Sequence, residues 1–303
     1  MAKRLRILFA GSGAFGLPTL KELVDEHDVV RIYTQPDRPA GRGKKLTPTP
    51  IAVFADKAEL PVTRTPKLND EPLPEADALV VIAFGQKISQ EQANHPRLGA
   101  MNLHASLLPR HRGAAPIHHA LLAGDETIGN SVIRLAERMD AGPILRQGEV
   151  PFVANETTGE LHDRLAEAGV SIVLRTLRDL DLGTAVELDQ DESLATHAGK
   201  LSREDAALDF ERPAVELARQ INALSPWPGC RINVAGVAST LVRATAVDGL
   251  HYPSFINSDG LIGTGQSLLQ ILELRPDGGK PMRLEDYRNG RPWPTGERVW
   301  PVT

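Results

Sequence analysis

Residues 78–83 read Ala-Leu-Val-Val-Ile-Ala, six apolar positions in a row with no polar residue among them. The run is strand length, and because it does not alternate it offers no face to water. Such a strand is buried on both sides, the situation of a parallel sheet covered by helices. Residues 5–10 (LRILFA) and 29–34 (VVRIYT) read as further short buried strands. Helical patterns fall between them, at 17–24, 51–58 and from Ser89 onward. Strands that alternate with helices define an α/β chain built on a mostly parallel sheet.

The chain has 303 residues, enough for a sizeable core and for two domains. Its net charge of −5 argues against a generally basic nucleic-acid coat, though not against a local basic patch. The single cysteine, Cys230, rules out a disulfide framework or a multi-cysteine zinc site. His118 and His119 are adjacent rather than at ligand spacing, so no metal is expected. No apolar run approaches eighteen residues, so no membrane span is expected. Residues 1–6 lead into the first strand without a secretory apolar segment. A cytoplasmic protein acting as a monomer is the expectation.

Gly11-Ser12-Gly13-Ala14-Phe15-Gly16 follows the first strand and reads literally as G-x-G-x-x-G, the dinucleotide-binding fingerprint. That fingerprint needs an acidic residue at the end of the next strand to hold a ribose. The next strand ends Tyr33-Thr34-Gln35, with no acid, and Asp37 lies beyond it between prolines. A tight strand-to-helix turn made of small residues is the preferred reading.

The richest stretch is 98–117. The apolar run 98–103 ends as a buried strand, and Asn102 and His104 fall two residues apart. In an extended segment such residues share a face. The C-terminal edge of an open α/β sheet is where ligands bind. Two side-chain donors converging there suit an oxygen that gains negative charge during attack on a carbonyl. By themselves the two residues read rather as a turn asparagine and a core histidine with a satisfied partner. Residues 127–135 and 143–151 read as a strand pair whose connecting loop carries Asp140, on its own an ordinary turn aspartate.

The tail of the motif changes the weighting. Asn102-x-His104-x-Ser106-Leu107-Leu108-Pro109-x-x-x-Gly113 resembles the signature of the 10-formyltetrahydrofolate-dependent formyltransferases. The longer string through Ala114-Ala115-Pro116-Ile117 is similar to the branch that formylates methionyl initiator tRNA. The resemblance implies a Rossmann-like catalytic domain over 1–185 and a catalytic set of Asn102, His104 and Asp140. It implies that Ser106, Leu107, Leu108 and Pro109, with Phe84 and Gly85 after the 78–83 strand, line the folate site, the latter pair largely through backbone. The family's first turn usually reads Gly-Thr with Phe-Ala shortly after, where this chain has Gly11-Ser12 and Phe15-Gly16.

Residues 35–50 (QPDRPAGRGKKLTPTP) read as a long loop without internal structure. It carries Arg38, Arg42, Lys44 and Lys45 against Asp37 alone, a local charge that suits phosphates, although by itself the segment reads first as a solvated surface insertion. It resembles the insertion loop of the tRNA-specific branch, which implies tRNA contact through these four residues, Arg42 foremost.

A long amphipathic helix over 156–177 is expected to close the first domain, and 186–204 to act as a linker. From Asp205 a helix at 213–224 precedes short strands at 231–234, 239–247, 260–263 and 268–274, the pattern of a small β-barrel. Pro226-Trp227-Pro228-Gly229 and Gly290-Arg291-Pro292 resemble the family's C-terminal OB-like β-barrel domain, here 205–303, which implies tRNA binding. Basic and acidic residues are about equal there, so any such surface is a one-sided patch.

The resemblance as a whole implies formyl transfer from 10-formyltetrahydrofolate to the α-amine of methionyl initiator tRNA. Asn102 and His104 would stabilise the oxyanion, with Asp140 assisting. The competing acceptor is a nucleotide sugar or other small amine. A nicotinamide-dependent oxidoreductase lacks its ribose acid and leaves Asn102, His104 and Asp140 without a role.

Overall fold

The structure, a computed structural model, describes residues 3–40, 43 and 45–302. In chain order the elements begin β1 (Arg6–Gly11), α1 (Leu17–Glu26), β2 (Asp28–Thr34), β3 (Arg38–Ala40), β4 (Lys45–Thr47), α2 (Pro50–Lys57) and β5 (Val62–Arg64). Next come β6 (Ala78–Ile82), α3 (Gln90–Asn94), β7 (Ala100–His104), β8 (Arg112–Gly113), α4 (Pro116–Ala123), β9 (Ile128–Arg134), β10 (Ile144–Val150) and α5 (Thr158–Leu182). The chain ends with β11 (His197–Ala198), α6 (Ala214–Ala223), β12 (Arg231–Val234), β13 (Val237–Val247), β14 (Ile262–Gly263), β15 (Leu268–Pro276), β16 (Met282–Arg283), α7 (Leu284–Arg288) and β17 (Trp300–Val302). They form two compact units whose segments interleave. One holds 1–113, 127–150 and 162–197, the other 114–126, 151–161 and 198–303.

The first unit is built on a seven-stranded sheet in the order β10-β9-β7-β6-β1-β2-β5. β5, β2, β1, β6 and β7 run parallel, and β9 and β10 add an antiparallel edge. All five residues of β6 are buried, as a run without a polar face requires. Ile7, Leu8, Phe9, Leu79, Val80 and Ile82 have no exposed surface. α5 lies against β7 at Gly169, where a Cβ would stand 2.6 Å from Leu103 Cδ2. The Asn130 amide of β9 donates to the Leu165 carbonyl of the same helix at 2.8 Å.

Helix starts follow their caps. The Thr49 hydroxyl accepts from the Ala52 N–H ahead of Pro50, and the Ser89 hydroxyl accepts from Gln92.

Two sequence expectations need correction. Residues 35–50 are not a structureless loop, because β3 and β4 pair as an antiparallel hairpin with Arg38 opposite Thr47 and Ala40 opposite Lys45. Gly43, in the turn, takes φ +99°, a conformation open to a residue without a Cβ. The stretch 186–204 is not a bare linker, because Leu188 exchanges both backbone hydrogen bonds with Ile144 and Thr196 is bonded to the 109–112 segment.

In the second unit an antiparallel sheet runs β14-β15-β13-β12-β17, with β16 beside β15. Single bridges complete the circuit: Ile256 pairs Ile262 of β14, and Phe255 pairs Arg298 just before β17. α6 buries Leu217, Ile221 and the following Leu224 in the core of this unit. The buried amide of Asn222 is satisfied by both backbone groups of Ala244 at 3.0 and 2.9 Å. The sequence reading missed β16, α7 and β17, which are only two, five and three residues long.

Candidate active site

β6 and β7 end side by side, Val81 paired with Asn102 and Ile82 with Leu103. On its other edge β7 pairs with β9, Asn102 opposite Ile133 and His104 opposite Ser131. Asn102 and His104 therefore share one face at the C-terminal edge of the sheet.

His104 is 6% exposed. Its Nε2 lies 2.9 Å from the His111 carbonyl. A carbonyl only accepts, so Nε2 carries the ring hydrogen, an assignment made from its partner. His111 takes φ +58°, and its N–H donates to Thr196 Oγ1 at 2.8 Å. The other ring nitrogen, Nδ1, faces Asp140 Oδ2 at 3.6 Å, within ion-pair reach but beyond a hydrogen bond. The same oxygen accepts the Gly113 N–H at 2.9 Å. Asn102 is half-buried, and its side chain has no hydrogen-bond partner among the described residues. The site thus holds one uncommitted amide beside an imidazole flanked by a carbonyl and a carboxylate.

The loop around Asp140 is held by residues distant in sequence. Gln190 Nε2 donates to the carbonyls of Asp140 and Gly142, each at 2.8 Å. Gln190 Oε1 accepts from Arg112 Nε at 2.9 Å and Nη2 at 2.7 Å. The buried Arg112 also reaches Glu192 at 3.2 and 3.0 Å, and Arg138 joins the same carboxylate at 2.9 Å. The bond from Arg112, then that from Arg138, hold the Glu192 carboxyl below its usual range.

The residues expected to line a folate site are brought near this edge, but their polar atoms are largely engaged. The buried Ser106 hydroxyl donates to the Arg110 carbonyl at 2.7 Å. Ser131 Oγ donates to the Ser106 carbonyl and accepts from Leu108 N–H and Gln147 Nε2. Gln147 also donates to the Leu108 carbonyl at 2.9 Å. Leu108 is buried, Leu107 and Pro109 are half-buried, and the Leu108–Pro109 bond is cis. After β6, Phe84 is buried and Gly85 exposed at φ +75°. The Phe84 carbonyl accepts from Gln35 Nε2 at 2.7 Å and from Ser12 Oγ at 3.2 Å.

The glycine turn after β1 is knitted to the same place. The Ser12 and Gly13 N–H groups both point to the Ala83 carbonyl, at 3.2 and 3.3 Å. Donors engaged in this way do not form a pyrophosphate cradle, as the missing ribose acid already implied. Gly11 is required by close approach, since a Cβ would stand 2.8 Å from the Ile82 carbonyl oxygen.

Arg38 and Lys45 are both exposed on the β3–β4 hairpin, while Arg42 and Lys44 lie outside the described residues. Sequence reasoning missed Ser131, Gln147, Gln190 and Thr196 as supports of the site. Each sits in a segment without a motif, and only folding brings it to its partner. No cluster of three His, Cys, Asp or Glu side chains able to hold a metal occurs among the described residues.

Fold and site together define a Rossmann-like α/β protein, with a polar cluster at the C-terminal edge of its sheet and a separate antiparallel β unit. The chain belongs to the formyl transferase family: the family's formyl transferase model matches residues 3–177, and its C-terminal-domain model matches 200–292. It is 44% identical over 302 residues to the methionyl-tRNA formyltransferase of Pseudomonas fluorescens (strain SBW25), covering 96% of this chain and 95% of that one. It is 43% identical over 303 residues to that of Pseudomonas syringae pv. syringae (strain B728a), covering 96% of each. Among solved structures, the sugar 3N-formyl transferase WlaRD superposes with a TM-score of 0.69 at 17% identity over 91% of this chain and 98% of that one. HypX from Aquifex aeolicus, in complex with tetrahydrofolic acid, superposes with 0.63 at 19% identity over 95% of this chain. The match covers 47% of HypX, so this chain spans about half of that protein.

Proposed function

We propose that this chain transfers the formyl group of 10-formyltetrahydrofolate to the α-amino group of methionyl initiator tRNA, for translation initiation. The amine nitrogen forms a bond to the formyl carbon, and the bond from that carbon to the folate nitrogen breaks. The amine gives up one proton and the folate nitrogen gains one, so no covalent enzyme intermediate is needed. The Asn102 amide, half-buried and unpaired among the described residues, carries the site assignment. It is a donor ready for the oxygen that becomes negative during attack. His104 joins it by sharing the Nε2 hydrogen now directed at His111. Asp140 faces the Nδ1 side of the ring and takes up the amine proton through water.

Ser106, Leu107, Leu108, Pro109, Phe84 and Gly85 line the folate site in this reading. With the Ser106 hydroxyl engaged internally, the 106–109 segment acts through its shape and apolar surface rather than through that hydroxyl. The hairpin with exposed Arg38 and Lys45 meets tRNA phosphates, together with Arg42 and Lys44, which fall between these two residues in the sequence. The identity above 40% to two methionyl-tRNA formyltransferases over nearly their whole length favours the tRNA acceptor. The protein works in the cytoplasm as a monomer, for which light scattering should return a mass near the chain's 32.8 kDa.

The test is incubation with 10-formyltetrahydrofolate and methionyl initiator tRNA, with free methionine and an aminosugar nucleotide as parallel acceptors. Formylation of the charged tRNA alone is expected. Transfer to the sugar and not to the tRNA would overturn the acceptor.

A further inference from the structure

We infer that Gln190 is a positioning residue for the reaction: its side-chain amide sets where the Asp140 carboxylate stands relative to His104. The inference rests on the formyl transfer proposed above.

The first observation is that Asp140 cannot hold its place unaided. Its backbone is left-handed, at φ +54°, a conformation that L-residues avoid. The loop leading to Gly142 connects two antiparallel strands, and among the described residues Asp140 is tied to the 104–113 segment through its carboxylate, at Gly113 N–H and opposite His104. Gln190 supplies the missing anchor. Nε2 has two hydrogens and gives one to the Asp140 carbonyl and one to the Gly142 carbonyl. Oε1 takes both N–H groups that Arg112 offers it. The four bonds account for the hydrogen-bonding capacity of a glutamine side chain and fix its orientation, since a flipped amide would set oxygen against two carbonyls.

The second observation is that the two anchored segments are those bearing the catalytic geometry. Arg112 lies between His111, whose carbonyl takes the His104 Nε2 hydrogen, and Gly113, whose N–H holds Asp140. Gln190 bonds to the Arg112 side chain on one side and the Asp140 backbone on the other, so the 109–113 segment and the 136–142 loop move together. Its own segment is held at both ends. Leu188 exchanges backbone bonds of 2.9 and 2.7 Å with Ile144, and the Thr196 carbonyl takes the Arg112 N–H at 2.9 Å. A brace fixed at both ends transmits position, and a small displacement at a catalytic group is costly in rate.

The test compares Gln190→Met, which keeps the volume and removes all four bonds, with Gln190→Glu, which keeps the acceptor for Arg112 and removes both donors. For each, kcat and KM with charged tRNA and the thermal midpoint are measured. The side-chain NMR signals of the His104 ring, assigned by their loss in His104→Gln, are recorded as well. We expect kcat to fall about 10- to 100-fold in both variants, with KM within about 3-fold of wild type. The His104 ring signals should shift, and those of His111 in the anchored segment with them, while the histidines remote from that segment hold theirs. Wild-type kcat in Gln190→Glu overturns the inference, as does a loss of rate with unmoved His104 signals. Should Gln190→Met fail to fold, Gln190→Glu and the ring signals still decide it. A wild-type protein that formylates no tRNA would sink the proposed function alone, and the His104 signals would still report whether Gln190 holds the cluster.

Discussion

Asp140 Oδ2 stands 3.6 Å from His104 Nδ1 and accepts the Gly113 N–H at 2.9 Å. One carboxylate oxygen thus faces the imidazole and secures the turn beyond it. Asp140→Asn preserves the shape and removes the charge. We expect kcat for formylation to drop about 100-fold or more, the scale of a lost general acid–base group. The melting temperature should change little, since Gly113 can still donate to the amide oxygen. Steady-state kinetics beside a thermal melt check both halves, and unchanged kcat would remove Asp140 from the catalytic set.

Asn102 is a different case because its amide supports nothing else among the described residues. Asn102→Ala should leave stability and folate binding near wild type while lowering kcat about 100- to 1,000-fold, as for loss of an oxyanion donor. Calorimetric titration with a folate analogue and single-turnover rates separate the two effects.

The start of α5 carries a pH-dependent staple. Glu160 accepts from the N–H and hydroxyl of Thr157, each at 2.9 Å, in a capping box. It also pairs with Arg243, which donates to the Asn155 carbonyl as well. Burial works against the charged carboxylate, but the bond from Arg243 and those from Thr157 outweigh it and bring the carboxyl from 4.5 to about 2. A depressed folded value means a contribution fully present above 4.5 and lost as pH falls from there toward 2. The melting temperature of Glu160→Gln should therefore lie below wild type at neutral pH and converge on it through that acid window. A difference that persists undiminished below pH 2 would show that the pair is not the source.

Gly142 ends the Asp140 loop where β9 and β10 close. A Cβ there would stand 2.0 Å from the Arg134 carbonyl oxygen, a backbone atom that cannot rotate away. Gly142→Ala should destabilise by about 1–3 kcal/mol, the range for overpacking, and should lower kcat as well because Gln190 grips the Gly142 carbonyl. Gly290→Ala, where nothing lies within 4 Å of the added carbon, is the neutral control in the same melts.

Cys230 is fully buried, and burial alone pushes its thiol up to about 12. The native protein at mildly alkaline pH should resist iodoacetamide and take up one equivalent only after denaturation. Mass spectrometry reads this directly, and rapid native alkylation would contradict the packing around β12.

Much of the scaffold was legible because its signals are local. The 78–83 run reads as a strand covered on both faces, and β6 is buried throughout, with Ala83 exposed just past its end. Asn102 and His104 could be set on one face from their spacing, and Asp140 found from a matching string. The 35–50 stretch was misread because proline and glycine density signals irregular backbone, while a three-residue ladder leaves almost no periodicity to detect. β16 and β17 were missed for the same reason, since short strands at the end of a small sheet take their pairing from neighbours rather than from their own pattern.

The sequence by itself determined the layered α/β architecture, the order of the elements and the residue types offered for chemistry at the end of β7. Those properties follow from burial periodicity and side-chain chemistry, which act over a few residues. Only the tertiary structure decided that Gln190 bridges Arg112 and the Asp140 loop, 78 residues from the first and 50 from the second. It also decided that His104 faces the His111 carbonyl and the Asp140 carboxylate on its two nitrogens. Hydrogen-bond geometry across such separations depends on where whole strands and turns settle against each other. A glutamine in a polar connecting segment carries no local mark of the partners that folding brings to it.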